Sequence, residues 1–242
     1  MEVEGAAAMK ISFLMLTRNR WDHARRAVSC FQQQRYPDVE LVVVDNGSDG
    51  TSERIEQLKD MRIRCVRVDE GRLSIGALRN ISVQNATGEL VAVFDDDDWH
   101  HPDRAAAQAE YLIHEGADLC MLDRVILAYP TKGLFAISDR RHWQGTLLAK
   151  KASLPPYPDM GRGQDVVMVN TAIARGSRAC FLPRPDLYIY VHHPLNVTGD
   201  AHFRWLFDLR SRDLEAKEVE WVKAALAGSW EQVQPWPGRQ AE

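Results

Sequence analysis

Four consecutive aspartates, Asp95, Asp96, Asp97 and Asp98, follow the apolar run Val91-Ala92-Val93-Phe94 and precede Trp99 and Pro102. Like charges in a row repel one another and do not enter a core without a partner. At the end of a buried strand they have one shared use, which is to hold a divalent cation through hard oxygen ligands. The commoner setting for an acidic run is a solvated loop, but here apolar and turn-forming residues frame it on both sides. Three other stretches carry polar residues that could act in chemistry: Thr17-Arg18-Asn19-Arg20, Asp45-Asn46-Gly47-Ser48 and Gly163-Gln164-Asp165. His192-His193 adds two imidazoles late in the chain.

The elements that must position these residues follow from hydrophobic spacing. Ile11 to Leu16, Glu40 to Val44 and Leu90 to Phe94 read as buried strands, and Arg62 to Val68 alternates like a strand with one wet face. Between them, Trp21 to Arg35, a segment capped by Thr51 and Ser52, and Leu73 to Ala86 have helical spacing. Strand and helix thus alternate four times in the first hundred residues. That predicts a parallel sheet with helices on both faces. Ligands bind beyond the carboxyl ends of such strands, so the tips at 17–19, 45–48 and 95–98 should face one crevice.

The second half is more mixed. Asp103 to His114 reads as a helix, and Leu119 to Met121, Val125 to Ala128 and Leu134 to Ile137 as short strands in a meander or sheet extension. A loop rich in Pro and Gly over 153–163 leads to a helix whose first turn holds Asp165, where the helix dipole favours an anion. Leu187 to Val191 is a strand, Phe203 to Leu226 a helix or helix pair, and the tail from Gln232 should fray. His100-His101, before Pro102, reads as a wet turn.

The chain of 242 residues is 45% apolar with a formal charge of −4, which gives no reason to expect nucleic acid as a partner. Cys30, Cys65, Cys120 and Cys180 lie far apart with no CxxC pair, against a zinc knuckle or disulfide framework and in keeping with a reducing cytosol. No apolar run approaches the ~20 residues of a membrane span. Met1 to Ala8 carries no basic leader region. The expectation is a cytoplasmic protein without a transmembrane segment, disordered over 1–8.

Leu16-Thr17-Arg18-Asn19-Arg20, Val42-Val43-Val44-Asp45-Asn46-Gly47-Ser48, Gly76-Ala77-Leu78-Arg79-Asn80 and Phe94-Asp95-Asp96-Asp97-Asp98-Trp99, in that order, resemble the motifs of family-two glycosyltransferases. The resemblance is strong over 9–105 and weak over 160–200. It departs at Leu16 to Asn19, where Pro-Thr-Tyr-Asn is commoner, and at Asn46, where a second acid is common. It implies the GT-A fold, a single α/β domain with a Rossmann-like mixed, mostly parallel sheet flanked by helices. The nucleotide-sugar-binding half would span 9–105 and the acceptor and catalytic half 106–200, with a C-terminal helical segment and tail over 201–242. The implied activity is an inverting transfer from a nucleoside-diphosphate sugar, first of all a UDP-sugar, to an acceptor hydroxyl. The acceptor would be a saccharide or a lipid- or protein-linked group, and peripheral membrane contact is compatible with it.

The leaving diphosphate carries two or more negative charges, which a metal and cationic donors must stabilise. The resemblance places that metal, Mn²⁺ or Mg²⁺, on Asp97, by its spacing from Pro102, and on His193. His193, nearest Asn196, is chosen over His192, and adjacent strand residues point to opposite faces, so the two do not easily bind one metal. The nucleotide-sugar contacts it implies are Thr17, Arg18, Asp45, Arg79, Asp95 and Asp96. Asp95 or Asp96 reaches the ribose or shares the metal, Asp98 supports the loop, and Arg79 meets the diphosphate or the nucleoside. Asp45 resembles an acceptor for the nucleobase and equally an Asx-turn residue before Gly47. Asp165 matches the family's catalytic base, with Gln164 in place of the acid usual beside it. Two alternatives stand against this reading. A sugar-nucleotide pyrophosphorylase needs a Gly-rich loop after the first strand, which Thr17 to Arg20 does not supply. A catalytically inactive binding or scaffold domain would not need the full acidic run and Asp165.

Overall fold

A computed structural model describes residues 9–69, 71, 73–228 and 235–238. The expectations for 1–8 and for most of the tail from Gln232 lie outside the described residues. The first hundred residues alternate as predicted: β1 (Ile11–Thr17), α1 (Trp21–Gln32), β2 (Val39–Asp45), α2 (Thr51–Glu56), β3 (Ile63–Arg67), α3 (Ile75–Asn85) and β4 (Leu90–Val93). All four strands are parallel. β1 is central, with Leu14 opposite Val42 of β2 and Val93 of β4. Strand alternation divides the apolar residues between two faces. Phe13, Met15, Leu41 and Val43 pack with Ala24, Val28 and Phe31 of α1, whereas Leu14, Val42 and Val91 pack with Val83 of α3.

The sheet continues through the second half of the chain: α4 (Arg104–His114), β6 (Leu119–Leu122), β9 (Trp143–Lys150), α5 (Gln164–Ala174) and β10 (Ala179–Leu182) give the order β10-β6-β9-β4-β1-β2-β3. β9 pairs antiparallel with both β4 and β6, so the sheet is mixed but mostly parallel. Sequence spacing did not predict β9. Trp143-Gln144-Gly145-Thr146 has no strand alternation, and the segment becomes a strand because it fills the gap between two others. A second sheet, β12-β8-β7-β11-β5, is formed by β5 (Trp99–His100), β7 (Ile126–Tyr129), β8 (Leu134–Ile137), β11 (Tyr188–Val191) and β12 (Arg212–Asp213). The expected meander is thus split between two sheets: β6 extends the first, while β7 and β8 form a hairpin in the second.

Three further expectations are corrected. His100 is not in a wet turn. It lies on β5, paired with Tyr188 of β11, is fully buried, and stacks on Phe94 with ring centroids 3.7 Å apart. Thr51 and Ser52 do not cap α2. The cap position is Gly50 at φ +77°, and the first-turn N–H groups of Thr51 and Ser52 donate to Asp49 and Asp45. Beyond α6 (Gly199–Asp208) and α7 (Ala216–Leu226), which make the expected helix pair, Trp236 does not fray but packs edge-on to Trp221 with centroids 5.0 Å apart. All four cysteines are free. Among the described residues no helix is long and apolar enough to cross a membrane.

Candidate active site

The parallel register sets Thr17 beside Asp45, so the ends of β1 and β2 are level. The chain beyond β1 turns through Asn19 at φ +51°, a left-handed conformation that Asn tolerates better than most residues. Asn19 Oδ1 accepts from the backbone N–H of Ser48 (2.7 Å) and Asp49 (3.2 Å), tying the first tip to the second. A Cβ on Gly47 would lie 2.5 Å from that oxygen, so the approach needs glycine here. Both carboxylate oxygens of Asp45 are engaged by the protein. Oδ1 accepts from Gly47 N (2.8 Å), and Oδ2 from Ser52 N (3.1 Å) and Ser52 Oγ (2.7 Å). This is the Asx-turn arrangement. It is Asn46, and not Asp45, that lines the cleft beside Thr17 and Arg18.

The acidic tip is partnered residue by residue. Arg79 donates to the Asp95 carboxylate and, through Nη1, to Leu14 O at 3.2 Å. Arg20 bridges the next two, with Nη2 at 2.6 Å from Asp96 and Nη1 at 3.0 Å from Asp97. Asp97 Oδ2 also lies 3.0 Å from His193 Nε2 and 3.5 Å from Asn196 Nδ2. Asp98 turns the other way. It accepts from Val191 N at 2.8 Å and from the Tyr188 hydroxyl, and so anchors the tip to β11. Crowding of like charges separates the central pair. Burial and the charge of Asp97 push Asp96 up to about 8 against the pull of Arg20. Burial would raise Asp97 as well, but the His193 hydrogen bond and the Arg20 charge outweigh it and hold the carboxyl at about 2. Asp97 is therefore the anionic member of the pair at neutral pH. Burial and the charges of Asp97 and Asp95 raise Asp98 well above the carboxylate range.

Beneath the tip lies a buried support. Arg104, fully buried, donates to His100 Nδ1 (2.6 Å), Gln108 Oε1 (3.0 Å) and Val93 O (2.8 Å). With Nδ1 accepting, His100 carries its proton on Nε2 and donates it to the carbonyl of Asp95 at 3.1 Å. Burial and the neighbouring Arg104 charge hold His100 far below the usual histidine range, hence neutral.

The opposite wall comes from the Pro- and Gly-rich loop and α5. Asn80 clamps Tyr157 by two hydrogen bonds of 2.8 Å, Nδ2 to its carbonyl and Oδ1 from its N–H, and Gly76 N donates to Met160 O at 3.1 Å. The Gly76-Ala77-Leu78-Arg79-Asn80 stretch thus does two jobs. Gly76 and Asn80 hold the loop, while Arg79 faces the acids. The loop ends at Gly163, left-handed at φ +73°, and delivers Gln164 and Asp165 to the opening turn of α5. Asp165 Oδ1 accepts from Val166 N at 2.9 Å.

All these walls enclose one cleft of about 810 Å³, inside the roughly 300–1,000 Å³ range of small-molecule sites. Of the residues singled out from sequence, Thr17, Arg18, Arg79, Asp95, Asp96, Asp97 and Asp165 line it. His193 does not line it but touches Asp97 from behind, and Asp45 lies outside. His192 points away, its ring stacked on Tyr129 at 3.9 Å. Sequence reasoning assigned no role to Arg20, Tyr188, Asn196 or Arg104. Arg20 stood within a motif and so was findable, but nothing local pairs Tyr188 with an acid 90 residues earlier.

The donor set suits a divalent cation. Mg²⁺-like ions are commonly held by one or two carboxylates plus substrate phosphates and not by an all-protein cage. Asp97, ionised and against an imidazole, offers such a partial shell. Among the described residues no cluster of three or more His, Cys, Asp or Glu is arranged around one point.

The sequence matches the glycosyl transferase family 2 profile over residues 12–155, more than half of the chain. A protein of Escherichia coli (strain K12) carrying the name colanic acid biosynthesis glycosyl transferase WcaA is 29% identical over 238 residues, which cover 96% of this chain and 70% of that protein. Three other curated relatives match over only 16%, 27% and 37% of their own lengths, so the chain spans well under half of them. In three dimensions, the chain resembles S. aureus TarS 1-349 in complex with UDP-GlcNAc, with a TM-score of 0.66, 17% identity, and coverage of 93% of this chain and 73% of that one. It also resembles the mannosyltransferase PcManGT from Pyrobaculum calidifontis in complex with GDP-Man and Mn²⁺, with a TM-score of 0.63, 20% identity, and coverage of 82% and 61%. These likenesses establish the fold as GT-A.

Proposed function

The chain belongs to glycosyl transferase family 2, and from that premise we propose that it transfers a sugar from a nucleoside-diphosphate sugar, a UDP-sugar, to an acceptor hydroxyl with inversion at the anomeric carbon. The observation that carries this reading is the meeting in one cleft of the acidic tip, its two arginines and Asp165. The UDP-GlcNAc of the TarS complex and the GDP-Man and Mn²⁺ of the PcManGT complex support a nucleotide-sugar and a divalent ion in a site of this fold. Family membership speaks against the pyrophosphorylase alternative.

The nucleoside lies against Thr17, Arg18 and Asn46 at the ends of β1 and β2, with Asp95 and Asp96 toward the ribose. Asp97 and His193 would hold the divalent cation, manganese or magnesium, which when bound supplies positive charge against the departing diphosphate. Arg79 adds a fixed guanidinium on the same side, held by Asp95 and Leu14 O. Asp165 takes the proton of the attacking hydroxyl. The bond from acceptor oxygen to anomeric carbon forms as the bond to the diphosphate oxygen breaks, and the electron pair leaves with the diphosphate. Inversion is what family membership implies, with Asp165 as the single base and the arginine-paired acids of the tip assigned to the metal and the ribose. The test is calorimetry with UDP and a panel of UDP-sugars in Mn²⁺ and in EDTA, followed by a transfer assay. Metal-dependent UDP binding is expected. Equal affinity with and without metal would remove the proposed role of Asp97.

A further inference from the structure

Cys120 on β6 and Cys180 on β10 are partners in the parallel ladder, Cα opposite Cα. Neighbouring strands lie about 4.7–4.9 Å apart, inside the roughly 4.4–6.8 Å that a disulfide spans between Cα atoms. The register also aims the two side chains the same way. Leu119, Met121, Ala179 and Phe181 turn to one face of the sheet, and Cys120 and Cys180 to the other, the face of α4. Gln108 of α4 donates to Cys120 Sγ at 3.9 Å, and the two thiols share a hydrogen bond. Cys30 and Cys65 stand on α1 and β3.

The two thiols of the pair are not equivalent. Cys120 is fully buried, whereas Cys180, 7% exposed, lies on the outermost strand of the sheet. The hydrogen bond from Cys120 lowers the Cys180 thiol below its usual range, against the effect of burial. The same bond, together with burial, holds the proton on Cys120. Burial pushes Cys30 up to about 12 and Cys65 up to about 11. Oxidation selects the thiol that ionises most readily and has a second thiol beside it. We propose that Cys120 and Cys180 are a modification site, a dithiol that a small peroxide converts reversibly to a disulfide. The Cys180 thiolate attacks one oxygen of hydrogen peroxide. An S–O bond forms as the O–O bond breaks, and the departing hydroxide takes up the proton that Cys180 released, giving water. The Cys120 sulfur then attacks the Cys180 sulfenic acid. The S–S bond forms as the S–O bond breaks, and the departing hydroxide takes the Cys120 proton as a second water. Two thiols thus lose two electrons to one peroxide, and a dithiol reductant returns them.

The test treats the full chain with hydrogen peroxide at neutral pH. Free thiols are then blocked with N-ethylmaleimide in denaturant and located by mass spectrometry, with circular dichroism recorded on the treated protein beforehand. The wild type should lose two of its four thiols, yield linked peptides holding Cys120 and Cys180, and regain both thiols in dithiothreitol. Its circular dichroism should not change, because the partners are already neighbours. In Cys120→Ala a dimedone adduct should collect on Cys180, since the sulfenic acid has no thiol to condense with. In Cys180→Ala, Cys120 should stay a thiol. Four thiols remaining in the wild type overturn the proposal. So does linkage through Cys30 or Cys65, oxidation of Cys180 without joining Cys120, or a linkage that forms only as the folded spectrum is lost. Oxidation of Cys120 in Cys180→Ala at the wild-type rate overturns Cys180 as the attacking thiol. Where an alanine variant fails to fold, the wild-type linkage map decides alone.

Discussion

Gly76→Ala offers a sharp perturbation because two opposite effects are readable from the structure. By intrinsic propensity, Ala in place of Gly within α3 favours the helix by roughly 1 kcal/mol. A Cβ at this position would, however, lie 1.8 Å from Pro158 O, with Pro158 C at 3.0 Å and Met160 N at 3.4 Å. The obstructing atoms are backbone and cannot rotate aside. Opening the shortest contact to 3.0 Å forces the loop back by about 1.2 Å, and overpacking of this kind costs about 1–3 kcal/mol. The hydrogen bond from Gly76 N to Met160 O, 3.1 Å long, is strained at the same time. The displaced loop leads directly into Gly163 and Asp165, and a misplacement of about 1 Å at a reacting group can lower a rate about 10²-fold. We expect kcat for sugar transfer to fall on that scale at saturating donor and acceptor. The affinity for UDP in calorimetry should be unchanged, since Thr17, Arg18 and Asn46 stand on other elements. Wild-type kcat in Gly76→Ala would refute the coupling between this glycine and the base, and a parallel loss of UDP affinity would refute the division of the cleft into two ends.

Three further outcomes follow from the same geometry. Asp165→Asn keeps shape and removes basicity, so turnover should fall about 10²-fold or more while UDP-sugar affinity holds; near wild-type turnover would move the base elsewhere. Asp97→Ala should abolish the Mn²⁺ dependence of UDP binding. Asp98→Ala, which strands the Tyr188 hydroxyl and Val191 N–H, should instead lower Tm, each buried unpaired group costing about 1–3 kcal/mol; the reverse pattern in thermal melts and calorimetry would exchange their roles. His193→Ala should weaken Mn²⁺ binding in a fluorescence or calorimetric titration and His192→Ala should not, and equal effects would contradict the orientation of the two rings.

The parts of this fold that were legible in the sequence are those fixed by local pattern. β1, β2 and β4 are apolar runs closed by polar tips, and parallel pairing brings those tips level whatever the rest of the chain does. β9 could not be read, because its strand character comes from β4 and β6 on its flanks and not from its own residues. The same holds for His100, whose neighbours Pro102 and Asp103 suggest a turn while its burial is set by Tyr188, 88 positions away in the chain and opposite it across the β5–β11 ladder. Asp45 shows the limit in the other direction. Both of its readings were visible, and only the placement of Ser52 reveals that α2 occupies the second carboxylate oxygen. Each of the four motif stretches supplies residues that line the cleft, but the pairing of each acid with Arg20, Arg79, His193 or Tyr188 is a tertiary fact.

The two bonds that seat the acidic tip, Asp98 to Val191 N and Asp97 to His193, span 93 and 96 residues of chain. Contacts of such separation form late, because the entropy of closing the intervening loop must be met before they reward it. During synthesis the first four strands emerge with all four aspartates in place but without β9 to seal the sheet edge or β11 to orient the tip. Until residue 193 has been made, the carboxylates are a repulsive cluster at an unfinished edge. The metal–nucleotide site proposed above is thus complete only once β11 has docked against the acidic tip.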